Sequence, residues 1–374
     1  MKLYVLASHI QKKLGFLNKA ISPRSQLPVL LNIALITNNG KLQLKTTDLE
    51  IGVQVEIPAN VEEEGEVTVP AKTFSELVAS FNSDEKIIMT TDNTTLHVST
   101  GKTKSILPTI PIDDFPNLFE EKGEEQAVFP KELFINGLFQ VIFAASSDIA
   151  RPALSGVLLA KQKEKNEMLF VATDGYRLSL KQYKNLKAVL GDSEEKELLI
   201  PARIMKEIVL LKDEDGDIRL FISGKNNQVI FEQGETMLIG RLIEAQYPPY
   251  QKIIPQDFIT RVQFDKEEMH QAVKMCAIFA REAANIIKLS VAKDKIVVSA
   301  NSPSVGENTV EVAAKVSGEE DEIAFNARYL LELFSHLEEE EVVFEMSGPL
   351  SPGVFKVKDD PTFLHLIMPI RVQG

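Results

Sequence analysis

The chain has 374 residues, 44% hydrophobic and 25% charged, with a formal net charge of −13 at pH 7. That length exceeds one ordinary core and predicts two or three domains, and the composition is globular. No stretch approaches the ~18 uninterrupted apolar residues of a membrane span. MKLYVLASHIQKK turns basic too soon for a signal peptide, and the single cysteine, Cys276, excludes an internal disulfide framework and fits a reducing cytoplasm.

The acidic balance does not exclude a nucleic-acid partner, because binding depends on where charges lie rather than on their sum. Much of the acid sits in short runs at 62–64, 120–121, 213–215, 319–321 and 338–341, which read as solvated loops or outer faces.

In chain order, the first element is a helix over Leu6 to Ile21, with Ile10, Leu14, Leu17 and Ile21 on one face. Strand-like LPVLLNIALI and KLQLKTTDLEIGVQV follow. VTVPAKTFSELVASF, from Val67 to Phe81, reads as a short strand, a proline stop and an amphipathic helix. An alternating hairpin, KIIMTTDNTTLHVST, and the apolar ILPTIP close the series. The same order then recurs: a helix over Lys131 to Ala145, RPALSGVLLA, MLFVATDGYRLSL, LLIPARIMKEIVLLK, DIRLFISGKNNQVIFEQG and LIEAQYPPY. It recurs again as a helix over Lys266 to Ala280, NIIKLSVAK, KIVVSANSPSV, IAFNARYLLELFSHL and LIMPIRV.

Pro70, Pro201 and Asn326 mark the same strand-to-helix step, and Lys72, Arg203 and Arg328 follow it, about one small domain apart. Asp48, Asp174 and Asn301 also align. The chain is therefore an internal triplication of an α+β unit, helix, strands, helix, strands. The expected domains are 1–122, 127–254 and 257–374, with boundaries near Lys122-Gly123-Glu124-Glu125 and Pro255-Gln256-Asp257.

Catalytic chemistry finds no foothold. His9, His97, His270, His336 and His365 lack metal-ligand spacing, and neither a nucleophile elbow nor a phosphate loop is present. Cys276 lies on the core side of its helix and reads as inert. Asp113-Asp114, flanked by Pro111 and Pro116, reads as a turn. Asp174 in FVATDGYRLSL has only Arg177 as a nearby partner, and its recurrence as Asp48 and Asn301 favours an Asx-type turn over a general base. No cofactor and no metal are expected.

Basic residues recur on the helices: Lys12, Lys13 and Lys19 with Arg24 just after, and Lys266, His270 and Lys274 on one stripe. Together with Lys72, Arg203 and Arg328 they suggest a concave, locally positive surface that holds a duplex through its phosphates. Basic-aromatic interleaving and a recognition helix are both missing. Two alternatives stand beside this reading: a hydrolase using Asp113, Asp114 or Asp174, and a repeat scaffold that binds peptides but no DNA.

PALSGVLL, VATDGYRL, FNARYLLELF, SGPLSPG and LIMPIRV, in order within Met1 to Val372, resemble the bacterial DNA polymerase III beta subunit, the sliding-clamp family. The resemblance implies the DNA clamp fold, with two helices packed on antiparallel sheets in each domain. It further implies a cytoplasmic head-to-tail homodimer, a six-domain ring with helices lining the hole. Such a ring encircles double-stranded DNA without reading sequence and catalyses nothing. It tethers the DNA polymerase III alpha subunit and other replication and repair proteins, and a clamp loader opens it.

The resemblance also implies a pocket for short partner motifs of the Gln-Leu-x-Leu-Phe type. Its residues would be Leu154, Thr173, Gly175, Tyr176, Arg177 and Leu178, joined by Pro248 and Ile253. Asn326, Tyr329, Leu350 and Pro352 would approach from the third repeat, with Leu366, Met368, Pro369, Ile370 and Arg371 closing it. Arg177 would fix orientation, and Asp174 would shape the turn. Lys252 stands where family members often carry arginine, Pro352 where some have a small hydroxyl residue, and Gln373-Gly374 extend past Val372. DNA contacts would come from Arg24, Lys72 and Arg203, with the loop at Ser147-Asp148 weakened by its acid. At the ring seam Lys102 and Lys104 would meet Glu307 and Glu311, beside apolar Ile278 and Phe279.

Overall fold

The structure, a computed structural model, describes residues 1–371 except positions 23, 93, 120, 149, 163–166, 185–196, 214 and 225–226. The first repeat runs β1 (Lys2–Leu6), α1 (Ala7–Leu17), β2 (Asn32–Asn38), β3 (Lys41–Thr47), β4 (Ile51–Pro58) and β5 (Asn60–Glu63). It continues through β6 (Glu66–Pro70), α2 (Ala71–Ala79), β7 (Lys86–Thr91), β8 (Thr95–Ser99) and β9 (Lys104–Pro108). The second repeat runs β10 (Glu124–Phe129), α3 (Lys131–Ile142), β11 (Gly156–Gln162), β12 (Glu167–Thr173) and β13 (Arg177–Lys184). Then come β14 (Glu197–Pro201), α4 (Ala202–Val209), β15 (Ile218–Ser223), β16 (Gln228–Gln233) and β17 (Thr236–Arg241). The third runs β18 (Thr260–Asp265), α5 (Lys266–Ala280), β19 (Ile286–Ala292), β20 (Lys295–Ser302) and β21 (Gly306–Ser317). It ends with β22 (Asp321–Asn326), α6 (Ala327–Ser335), β23 (Glu341–Met346), β24 (Gly353–Val357) and β25 (Asp360–Ile367).

Several expectations are corrected. Each repeat opens with a strand ahead of its first helix; in β1, Leu3 and Val5 are buried at alternate positions. α1 stops at Leu17, and Asn18–Ala20 tighten into a 3-10 turn, so the helix does not reach Ile21. α3 likewise ends at Ile142 rather than Ala145. The strand-like LPVLLNIALI and RPALSGVLLA begin with 3-10 turns, Pro28–Leu31 and Pro152–Leu154, because a proline at the first position presets the turn. Glu124 and Glu125, read as boundary, already belong to β10 and pair with Ile222 and Phe221.

Asn301 does not match Asp48 and Asp174. It lies in β20 opposite Glu307, and the turn falls one step later, between Ser302 and Gly306. That connection is one residue shorter than those pairing Thr47 with Gly52 and Thr173 with Leu178, so the third repeat has no carboxylate turn.

The described chain forms two compact units. One comprises Met1–Phe134 with Arg203–Leu242, and the other the described parts of Ile135–Leu186 and Ser193–Ala202 with Ile243 onward. The physical reason is sheet continuity, since each half of the second repeat is hydrogen-bonded to a different neighbour. In unit one an eight-stranded sheet has the order β10-β15-β16-β17-β4-β3-β2-β6. Its joint is β17 against β4, from Thr236↔Val55 to Gly240↔Ile51. The five-stranded sheet β5-β1-β7-β8-β9 completes that unit. In unit two a twelve-stranded run, β14-β11-β12-β13-β25-β24-β23-β18-β21-β20-β19-β22, is joined by β13 against β25.

Helices are held to these sheets by one apolar face each. α5 buries Met269, Ala272, Val273, Cys276, Ala277 and Ala280, and Asp265 Oδ1 caps it by accepting from Glu268 N–H at 2.8 Å. On α3, Gly137 is required by close approach. A Cβ there would stand 1.4 Å from the Tyr183 hydroxyl. Among the described residues no helix is long and apolar enough to cross a membrane.

Candidate functional site

The TDGYRL stretch forms a closed turn between β12 and β13. Asp174 Oδ1 accepts from the N–H groups of Tyr176 (2.8 Å) and Arg177 (3.0 Å). Thr173 Oγ1 accepts from Gly175 N–H at 3.0 Å and donates to the Arg177 carbonyl at 2.6 Å. Gly175 sits at φ +92°, a conformation that costs glycine nothing. Asp174 is thus a turn former whose second oxygen takes Arg177 Nε at 3.1 Å.

Arg177 itself is only 7% exposed. Its Nη2 donates to the Phe143 carbonyl at 2.7 Å, and Nη1 pairs with Glu332 Oε2 at 2.6 Å as an ion pair without hydrogen-bond alignment. The guanidinium lies over the rings of Tyr329 (4.6 Å) and Phe143 (5.4 Å). Nε and Nη2 are thus committed inside the chain and the charge is paired with Asp174 and Glu332, so Arg177 positions the turn, α3 and α6.

The chain's last described residues are stitched to this turn. Beyond the β13–β25 pairing, Met368 N–H donates to the Tyr176 carbonyl and Ile370 N–H to the Ala324 carbonyl, both at 2.8 Å. Ala324 lies in β22, which feeds α6, so Tyr329 is brought to the same place. Leu154 borders the turn: a Cβ on Gly175 would lie 3.9 Å from its Cδ1. Leu178 and Leu366 are fully buried and form a floor with Val171, Tyr247 and Tyr250. Thr173 is buried as well.

The apolar surface offered to solvent is therefore smaller than the expected residue set. Tyr176 (58% exposed), Leu350, Ile253 and Met368 are exposed, and Leu154, Tyr329, Pro248, Pro369 and Ile370 are half-buried. Asn326 is committed to capping α6, its Oδ1 accepting from Arg328 N–H at 3.0 Å. Pro352 lines a small hollow of about 60 Å³ with Phe258, Glu345 and Val354. Lys252 and Arg371 are exposed, whereas Gln373-Gly374 lie outside the described residues. Sequence reasoning missed Tyr247, Tyr250, Phe143 and Glu332. Tyr247 and Tyr250 were legible in YPPY, as aromatics in a linker with nothing local to pack on; Glu332 was one more acid on a helix.

The seam and channel residues are placed as follows. Lys102, Lys104, Glu307 and Glu311 are exposed, but Glu311 already pairs with Lys295 at 2.6 Å. Ile278 is 56% exposed and Phe279 half-buried beside it. β9 and the Gly306–Ala313 half of β21 each have one side unpaired among the described strands, and Ile106 on β9 is 63% exposed. Arg24 and Lys72 are exposed. Arg203 is engaged by Asp48 (2.5 Å) and Glu50 (3.1 Å), which competes with any phosphate. Asp148 is paired with Arg151 at 3.2 Å, so its charge is compensated.

No group of acids, histidines and cysteine among the described residues is arranged to hold a metal. Burial pushes the Cys276 thiol up to about 11, away from reactivity. Asp113 and Asp114 lie in a surface 3-10 turn.

Three repeats of helix and antiparallel sheet, joined edge to edge, define a three-domain sliding-clamp fold. Models of the DNA polymerase III beta subunit match in order, the N-terminal domain over residues 1–119, the central domain over 128–249 and the C-terminal domain over 251–371. The beta sliding clamp of Staphylococcus aureus is 30% identical over 365 residues, covering 94% of each chain. That of Staphylococcus epidermidis is 29% identical over 364 residues, also covering 94% of each. Crystal structures of the clamps of Pseudomonas aeruginosa and Bacillus subtilis, each 26% identical, superpose over 100% of both chains with a TM-score of 0.92. A Bartonella birtlesii clamp bound to griselimycin matches equally well, with a TM-score of 0.92 at 26% identity and 100% coverage of both chains. The chain belongs to the DNA polymerase III beta subunit family, the beta sliding clamps of replication.

Proposed function

We propose that two copies of this chain close head to tail around duplex DNA and tether polymerase and other replication proteins through the slot at the TDGYRL turn. Its three domains, 1–122, 127–254 and 257–374, are then the repeating units of a six-domain ring, and the chain catalyses nothing itself.

The observation that carries this reading is the unfinished sheet pattern. β17 on β4 and β13 on β25 are two joints of one kind, in which the last strand of a repeat docks on the sheet of the repeat before it. β9 and the first half of β21 are the two open edges of the same kind, one in each unit. Open edges invite pairing, and a second copy supplies it in the third joint. Exposed Ile106 and Ile278 support burial there. Arg24 and Lys72 would face phosphates, weakly and with strong salt dependence, because closure rather than affinity retains the duplex.

Light scattering tests the ring: the parent should have twice the 41.7 kDa mass, and Ile278→Arg with Phe279→Arg should give monomers. A stable dimer of the double variant would sink the seam. The slot is tested with a fluorescent Gln-Leu-x-Leu-Phe peptide. Leucine and phenylalanine side chains are worth ~1.5–3 kcal/mol each when well buried. Saturable binding near ~1 μM, about −8 kcal/mol, is expected, and it should collapse in Leu350→Ala with Met368→Ala. Equal binding by that variant would move the slot elsewhere.

A further inference from the structure

The TDGYRL turn has a structural twin in unit one. Asp48 Oδ1 accepts from Glu50 N–H (3.0 Å) and Ile51 N–H (2.8 Å), as Asp174 does from Tyr176 and Arg177. Thr47 Oγ1 accepts from Leu49 N–H at 3.0 Å and donates to the Ile51 carbonyl at 2.9 Å, as Thr173 does in its own turn. Each turn opens the strand that receives the next repeat, β4 taking β17 and β13 taking β25. By register, Gly240 stands opposite Ile51 as Ile367 stands opposite Arg177, so Arg241 corresponds to Met368.

Beside this twin lies a cleft of about 380 Å³, a ligand-sized volume. Its apolar lining includes Ile51, Leu118 and Ile239, and Leu118 packs over Gly52, where a Cβ would lie 3.1 Å from its Cδ2. Gln228 and Arg241 are among its polar lining residues. Gln228 is 9% exposed and donates its Nε2 to the Leu118 carbonyl at 2.7 Å, which fixes the amide and leaves Oε1 buried with no partner. Arg241 is exposed and has no ion pair among the described residues, whereas Glu50 is already engaged by Arg203.

We propose that this cleft is a second peptide site, one that takes an extended segment in which an aliphatic residue is followed by an acidic one. The aliphatic side chain covers Leu118 and Ile239, and the carboxylate pairs with Arg241. It differs from the slot at the other turn in charge: an arginine stands where that slot has methionine, so the two select different motifs. The site does not depend on the slot's function, and each can be read separately.

The test is methyl NMR of the full-length protein with labelled isoleucine, titrated with acetyl-Gly-Leu-Asp-Gly-amide. Ile51 and Ile239 report on the cleft, and Ile367 and Ile370 on the slot. Saturable shifts at Ile51 and Ile239 are expected, unchanged in Leu350→Ala with Met368→Ala, weakened at least tenfold in Arg241→Glu and largely kept in Arg241→Lys. Any of three results overturns the site: no shift at Ile51 and Ile239 up to about 5 mM peptide, where binding would be weaker than about −3 kcal/mol; shifts at the slot reporters alone; or cleft shifts indifferent to Arg241→Glu.

Discussion

Replacing Arg177 with methionine removes a charge at the centre of unit two while keeping much of the side chain's volume. The Phe143 carbonyl loses its 2.7 Å donor, and Asp174 loses one at 3.1 Å with its side chain only 14% exposed. Glu332 is 37% exposed, so its lost ion pair counts for little after solvent screening. An orphaned buried acceptor and a lost charge-assisted bond cost about 1.5 kcal/mol each, for about 3 kcal/mol in all. Because the chain has more than one folding unit, the fitting assay is local: hydrogen exchange read by mass spectrometry over residues 173–181 and 363–368. Exchange there should accelerate roughly a hundredfold, and peptide affinity should fall with it, because the turn that aims Tyr176 is loosened. Exchange within threefold of the parent would refute the assignment of Arg177 as the residue that positions the turn.

Gly137→Ala should destabilise unit two by about 2–3 kcal/mol through overpacking against Tyr183, and Gly137→Ala with Tyr183→Phe, which removes the clashing hydroxyl, should recover part of it in the same exchange measurement. Cys276 should resist a thiol reagent at pH 8 until the protein is unfolded. Its pKa is raised by burial from 9.0 to about 11, so its contribution to stability is full below about 9 and lost as pH rises towards 11; Cys276→Ala should lessen that alkaline loss in melting scans. His365 is fully buried with both ring nitrogens unpartnered, and burial, reinforced by Arg177 and His336, holds its pKa well below 6.5. It stays neutral when folded and charges when unfolded, so stability should fall as pH drops below about 6.5, and His365→Leu should flatten that fall between pH 7.5 and 5.

The sequence by itself determined the triplication, because periodic apolar faces and strand-stop-helix punctuation are local signals that survive in linear order. It located α5 over Lys266–Ala280 and the core-facing side of Cys276. It also named the Asx turn at Asp174, since a turn's hydrogen bonds run between near neighbours. Tertiary structure decided the rest. Which strand edges meet is a long-range choice, so the division of the second repeat between two units had no linear signature. Whether an arginine serves a ligand or the chain depends on what other elements bring to it, and Phe143 and Glu332, 34 residues before and 155 after, claim Arg177. Likewise the Asp48 turn reads as an ordinary acidic loop until β17 and the Phe115–Leu118 segment close around it, since a cleft exists only where separate segments fail to fill the space between them.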